Sequence, residues 1–250
     1  QLPQAQLPSH PDGRPFPSSD AQAVQRLSDT GHWQVPLRLP DGTRLHVLAF
    51  HATPPVFDGP EDRNGKRNHD EIRLWQRLLD ADLGPAPQPP FVIVGDANLD
   101  PHRGAGSKSA IRDLLSDPRL QDPKPSSPQA GTATVDWQSA GQMRVDYVLP
   151  SAELHVTGAG VHWPDGADHP AAQASRHRLG GHRPAITKCA GPGARIVGET
   201  CYCGGAFLTL PNRAARPVAA DFRRISMPHP SILILPGDGI GPAVMTEARK

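Results

Sequence analysis

The sequence predicts an α/β domain, in which helices pack against strands, followed by an irregular C-terminal tail. Three observations support this class. Residues 91–94 form an unbroken apolar run with β-branched side chains, which is typical of a strand buried on both faces. Residues 68–83 carry apolar side chains at helical spacing. The predicted elements follow one another in the order strand, helix, strand, helix, strand.

The first part of the chain predicts an extended entry, a hairpin and a loop. Five prolines within the first 17 residues disfavour helix, so residues 1–29 are expected to be extended. Residues 33–39 and 44–50 predict two strands, because the dipeptide Asp41-Gly42 between them is a strong turn signal. Residues 52–66 are polar and contain glycines and prolines, which predicts a loop.

An amphipathic helix is predicted over residues 68–83. Its apolar side chains at helical spacing are Ile72, Trp75, Leu78 and Leu79. Asn68 is the candidate N-cap, and Gly84-Pro85 is the candidate stop signal.

The rest of the chain predicts shorter elements and an irregular tail. Further predicted elements are a short helix over 107–115, a proline-rich surface loop over 118–128, and strands over 143–149 and 154–161. Residues 180–226 show no sustained period of either kind and are expected to be irregular. All three cysteines lie after residue 188, and three thiols do not supply the four ligands of a structural zinc site.

Composition excludes some classes of protein. The 26 Lys and Arg nearly balance the 25 Asp and Glu, so charge gives no indication of a polyanion-binding tail. Proline makes up 30 of 250 residues, far above the usual ~5%, which predicts much loop. No apolar run is long enough for a membrane span, and no charged-then-apolar leader opens the chain. Because residue 1 is glutamine, we expect a mature end or a cut within a longer protein.

Polar side chains cluster where the predicted strands stop. The residues concerned are His51, Asp96, Asn98, Asp146 and His177. Side chains at strand ends of a layered fold can converge on one rim. A carboxylate, a carboxamide and two imidazoles suit hydrolysis of a phosphate ester, in which an acid activates water and the other groups stabilise charge on phosphoryl oxygens. Taken alone, each of these residues more often has no catalytic role: Asp and Asn usually cap a turn, and a single His at a strand end is usually just solvated.

Five sequence motifs together resemble the endonuclease/exonuclease/phosphatase family. They are HVLAFHATPP, VIVGDANLDP, TVDW, RVDYVLPS and SRHRL, in the order in which that family has them. The resemblance covers residues 30–179 and corresponds to the C-terminal portion of such a domain. It implies an incomplete four-layer α/β sandwich of the deoxyribonuclease I type, with residues 1–29 as an N-terminal extension.

The resemblance also implies a role for each matching residue. Asp96 would orient or deprotonate the attacking water, Asn98 would bind phosphate and water, His51 would contact the phosphate, Asp146 would hold His177 in its useful tautomer, His177 would act as general acid or base or as a phosphate ligand, and Thr134 would contact substrate. The implied cofactor is Mg²⁺ or Ca²⁺. The implied partner is a phosphate-ester substrate, with nucleic acid as one candidate. The branch resembled is often exported, so a secreted or periplasmic location is expected; the oligomeric state stays open.

Two departures from the family pattern predict a truncated and impaired member. Arg176 stands where the family has an aspartate, which places a cation beside the expected metal site. The family's upstream half, with the glutamate that is its main metal ligand, has no counterpart here. Glu61 and Glu71 are expected in a loop and at a helix start, and neither is carried on a strand.

A second resemblance is confined to residues 227–250, which are similar to the N-terminus of 3-isopropylmalate dehydrogenases. This segment starts at a methionine and holds the motif PGDGIGP. We therefore also expect that the chain reads across a junction between two genes, with a frame change near 176–180. Two alternative functions follow: a non-catalytic remnant, and a fragment of an NAD-dependent oxidoreductase.

Overall fold

The computed structural model of the chain describes residues 2, 4–28, 30–164 and 175–185, with two further segments, 200–203 and 206–209. The helices are α1 (Ser19–Val24), α2 (Arg63–Leu79) and α3 (Ser109–Leu115). The strands are β1 (His32–Arg38), β2 (Arg44–His51), β3 (Phe91–Asp96), β4 (Val135–Trp137), β5 (Gly141–Met143), β6 (Asp146–Pro150), β7 (His155–His162), β8 (Leu179–Ala185), β9 (Thr200–Cys203) and β10 (Ala206–Thr209). The predicted α/β class is confirmed.

The central sheet has the strand order β1-β2-β3-β6. β1 and β2 form the predicted antiparallel hairpin, whose turn uses Gly42 at a φ of +81°. β3 runs parallel to β2 and antiparallel to β6. A second sheet has the order β7-β8-β10-β9, and β4 and β5 form a small hairpin.

Helices α2 and α3 cover one face of the central sheet. Trp75 and Ile72 of α2 are buried there against Phe50 and Ile93, which confirms the predicted apolar helix face. The Phe50 and Trp75 rings meet edge to face at 5.6 Å. Burying a side chain of this size is worth about 2–3 kcal/mol, so this contact fixes the helix over the sheet.

The opposite face of the sheet is also apolar. Val47, Val92, Val94 and Val148 pack together there, with Val35 against them. Alternate residues of β2 and β3 thus feed two separate clusters, which explains why 91–94 reads as an unbroken apolar run.

Helix α2 begins at Arg63, five residues before the predicted start, and the prediction of Asn68 as N-cap is wrong. The cap residue Asp62 has a φ of +52° and makes no side-chain capping bond. Instead the Asp58 carboxylate accepts a hydrogen bond from Asn64 N at 2.5 Å, in the first turn. The helix can therefore start inside the segment predicted as loop.

The two ends of the chain also differ from expectation. Residues 19–24, predicted as extended, form α1, whose cap Ser18 accepts from Ala21 N. Within 180–226, predicted as irregular, the structure has backbone strands at the positions of β8, β9 and β10. β8 pairs with β7, β10 with β8 and β9 with β10, so main-chain pairing orders these strands without a regular apolar period. The other residues of that stretch lie outside the described part of the chain.

Candidate active site

The register of three neighbouring strands aligns three predicted site residues. His51 at the end of β2 is paired with Asp96 at the end of β3, and Asp96 is paired with Asp146 at the start of β6. His51 Nε2 lies 3.5 Å from Asp96 Oδ2. The side chains of His51 and Asp96 are 29% and 13% exposed, so both reach solvent at one rim of the sheet.

Asn98 joins the same rim through a tight turn after β3. Its φ is +48°, a left-handed conformation that Asn tolerates better than most residues. Its backbone N donates to Asp96 Oδ1 at 2.6 Å, and its Nδ2 donates to the Ala52 carbonyl at 2.9 Å. Nδ2 also lies 3.1 Å from His51 Nε2. The carboxamide is thus held between the two strand ends.

Close approach of β2 and β3 at this rim requires a glycine. Gly95 has a φ of +156°, and a Cβ there would collide with the Phe50 carbonyl oxygen. The glycine of the Gly-Asp-Ala-Asn turn therefore allows Asp96 to sit beside His51.

His177 and Asp146 form an ion pair. His177 Nδ1 donates to the Asp146 carboxylate, at 2.9 Å from Oδ2 and 3.1 Å from Oδ1. His177 Nε2 points toward Asp96, with 3.9 Å to Oδ2. Burial lowers the pKa of His177. The hydrogen bond to Asp146 and the charges of Asp146 and Asp96 raise it by more, so that the pKa is about 9. The ring therefore carries a proton at neutral pH in the cation-free protein.

Thr134 lies beneath the rim rather than on it. It is only 1% exposed, and its Oγ1 accepts hydrogen bonds from the backbone N of Val145 and of Asp146, both at 3.0 Å. Its carbonyl accepts from Arg178 N at 2.6 Å, next to His177. These contacts align Asp146 with His177, and the contact of Thr134 with substrate stays a prediction.

Asp96, Asp146 and His177 are placed to hold a metal ion together. Each offers one ligand atom, and these atoms lie within 4.8 Å of one another. Two carboxylate oxygens fit a hard divalent cation, whose other positions water and phosphate oxygens can fill. Among the described residues, no glutamate belongs to this group. Arg176 is exposed and makes no ion pair within the described part of the chain.

The sequence analysis missed the buried polar residues that support the rim. Asn68 and Glu71 are fully buried on α2, and Asp100 accepts hydrogen bonds from the backbone N of His102, Arg103 and Arg144. Arg144 in turn pairs with Asp122 at 2.6 Å. The available signal is a polar residue at an apolar helical position: Glu71 lies four residues before Trp75 and eight before Leu79.

The chain belongs to the endonuclease/exonuclease/phosphatase family. The sequence model of that family matches residues 14–177, and so starts earlier than the predicted boundary at residue 30. The match includes all six predicted site residues. No curated protein sequence matches the chain significantly.

Solved structures similar to this chain include three bacterial proteins. An endonuclease/exonuclease/phosphatase from Beutenbergia cavernae is 19% identical over 58% of this chain and 36% of its own, with a TM-score of 0.42. Sphingomyelinase C from Streptomyces griseocarneus is 19% identical over 56% of this chain and 52% of its own, at 0.34. The mannosyl-6-phosphatase Bt3783 of Bacteroides thetaiotaomicron is 18% identical over 55% and 49%, at 0.37. The chain thus spans about half or less of the length of these structures.

The predicted resemblance of residues 227–250 to dehydrogenases finds no support. That segment lies outside both the described residues and the family match. Of the helices that the structure describes, none has the length and apolar character to cross a membrane.

Proposed function

We propose that this chain is a divalent-metal-dependent phosphoesterase domain that hydrolyses phosphate esters at the rim formed by β2, β3 and β6. The observation that carries the proposal is the strand register, which puts His51, Asp96 and Asp146 side by side. His177 and Asn98 complete a group that combines water activation with binding of phosphoryl oxygens.

The proposed roles follow from the contacts. Asp96 accepts the proton of the attacking water or orients it, because its Oδ2 faces both His51 and His177. Asn98 and His51 lie together beside it and bind phosphoryl oxygens. Asp146 fixes the His177 ring through Nδ1, so that Nε2 faces the substrate and can donate a proton to the leaving oxygen or to phosphate.

A divalent ion would be held by the carboxylates of Asp96 and Asp146, and Nε2 of His177 would be a third ligand once it has given up its proton. When bound, it would neutralise phosphoryl charge and favour the attack of water. Mg²⁺ and Ca²⁺ both suit oxygen ligands of this kind.

We further propose that this chain on its own turns over slowly. With no glutamate in the described ligand group, the two carboxylates leave most positions of a hard cation to water. The substrate class is a phosphate diester or monoester, and nucleic acid is one diester to be tested.

The test compares the wild-type chain with Asp96→Asn and His177→Gln. We expect slow hydrolysis of bis-p-nitrophenyl phosphate or plasmid DNA that needs Mg²⁺ or Ca²⁺, stops with chelator and is lost in both variants. Asp12→Asn, which changes an exposed carboxylate far along the chain, is the matched control and keeps the activity. Hydrolysis that survives in Asp96→Asn, or no chelator-sensitive hydrolysis by any form, would reject the proposal; the second outcome favours a non-catalytic remnant.

A further inference from the structure

Two strand-end loops carry the proposed catalytic group, and one buried side chain connects them. Asn68 of α2 is 0% exposed, and its Nδ2 donates at 2.8 Å to the Thr53 carbonyl and at 2.8 Å to the Ala97 carbonyl. Thr53 is two residues after His51, and Ala97 lies between Asp96 and Asn98. A single amide group therefore spans the loop after β2 and the loop after β3.

Glu71, one turn further along α2, binds the same loop residue, Thr53, through its backbone N–H. Its Oε2 accepts a hydrogen bond from Thr53 N at 2.5 Å. The carboxyl group also accepts hydrogen bonds from the side chains of Ser28 and Thr53. Thr53 is thus bound through N–H by Glu71 and through C=O by Asn68. Residues at i and i+3 of a helix lie on one face, so Asn68 and Glu71 bind Thr53 from the same face of α2.

These contacts are costly for a protein to keep if they serve packing alone. Both side chains lie at full burial, and Asn68 Oδ1 and Glu71 Oε1 have no hydrogen-bond partner in the described chain. Unpaired polar atoms of this kind destabilise a fold, because each has lost its hydrogen bonds to water without replacement. Apolar residues would fill the same space without that cost.

We infer that Asn68 and Glu71 are positioning residues, which set the spacing between His51 on one loop and Asp96 with Asn98 on the other. The inference rests on the proposed function, because it assigns the two residues to that same site. The distances that they control are 3.5 Å from His51 Nε2 to Asp96 Oδ2 and 3.1 Å from His51 Nε2 to Asn98 Nδ2. Both side chains are fully buried, so each would act on the site through the loop backbone that it binds.

The first readout needs neither metal nor substrate. The Cε1–H resonance of the His51 ring is recorded by NMR in the wild-type chain, Asn68→Ala and Asn68→Ser, and is assigned with His51→Gln. Leu78→Ala is the matched control, because Leu78 lies on the same helix and packs partly buried against the core. We expect the His51 resonance to move or broaden in Asn68→Ala, to move less in Asn68→Ser, which retains one donor, and to stay in place in Leu78→Ala.

The second readout is Mn²⁺ binding followed by electron paramagnetic resonance. Loss of a group that orients metal ligands weakens binding about tenfold or more, so we expect this for Asn68→Ala and an unchanged affinity for Leu78→Ala. An unmoved His51 resonance in Asn68→Ala, or an equal movement in Leu78→Ala, overturns the inference. If neither Asn68 variant folds, Asn68 is a structural residue and the positioning role is rejected. If the wild-type chain binds no Mn²⁺ while the NMR result holds, the proposed metal-dependent function fails and the coupling of the two loops stands.

Discussion

Replacing Glu71 by glutamine should stabilise the chain at alkaline pH much more than at acid pH. Burial raises the pKa of Glu71 from its ordinary value of 4.5 to about 7, even though hydrogen bonds from Thr53 and Ser28 and the positive charge of Arg67 lower it. The folded chain therefore keeps a proton on Glu71 up to about pH 7, while the unfolded chain loses it near pH 4.5.

The magnitude follows from these two values. Between them the unfolded state binds fewer protons, so the free energy of unfolding falls as the pH rises. A pKa change from 4.5 to about 7 corresponds to about 3 kcal/mol, at ~1.4 kcal/mol per pKa unit. Burial lowers the pKa of His32, whose ring contacts the Glu71 carbonyl, to about 4, so His32 is neutral across most of this window.

The assay is urea unfolding followed by tryptophan fluorescence, since Trp75 is buried in the core. The difference in unfolding free energy between Glu71→Gln and wild type should grow by about 3 kcal/mol from pH 4.5 to pH 8. Glu61→Gln, at a more exposed loop carboxylate, is the control and should show almost no such growth. A difference for Glu71→Gln that does not change with pH would refute the reasoning, because it would mean that the buried carboxyl group does not change its protonation on unfolding.

Three further predictions concern the rim. Gly95→Ala should destabilise the chain by roughly 1–3 kcal/mol or prevent folding, because its Cβ would meet the Phe50 carbonyl oxygen; thermal unfolding checks this against Gly13→Ala, where the space is open and only the positive φ resists a side chain. Thr134→Val removes the acceptor of two buried N–H groups and should lower the free energy of unfolding by about 1–3 kcal/mol. The His177–Asp146 hydrogen bond should also be lost, which the NMR signal of the His177 Nδ1 proton would report. An unchanged signal would contradict the aligning role. With Mg²⁺ or Ca²⁺ the wild-type chain should hydrolyse a chromogenic phosphodiester slowly, and Arg176→Asp alone should not bring it to full activity; fast, chelator-sensitive turnover by the unmodified chain would show that another residue completes the ligand set.

The strands and the rim could be predicted because their signals are local or add up along the chain. An apolar run marks β3, Asp41-Gly42 marks the hairpin turn, and the order of five motifs brings His51, Asp96 and Asp146 into one site. Each of these patterns is short enough to be read directly from the sequence.

The start of α2 and the support of the rim could not be predicted, because they depend on contacts between residues far apart in sequence. Asp58, which lies before the N-cap position, accepts a hydrogen bond from the first turn of α2. The true start of the helix therefore has no local capping signal, whereas Asn68 resembles an N-cap in sequence. The two carbonyls bound by Asn68 lie 15 and 29 residues away along the chain. The hydroxyl of Thr134 likewise binds the backbone of Asp146 from 12 residues away along the chain.

Because β2, β3 and β6 bring the rim residues together by their pairing, the geometry of the candidate site depends on the alignment of these strands. Successive side chains of a strand point to opposite faces, so a slip of one residue between β3 and β6 would turn Asp146 away from Asp96 and exchange the residues that fill the two apolar clusters. Correct assembly of the rim and correct assembly of the core therefore need the same strand register. A folding intermediate with these strands paired out of step would bury valines and isoleucines almost as well and yet leave His51, Asp96 and Asp146 unable to meet around one phosphate.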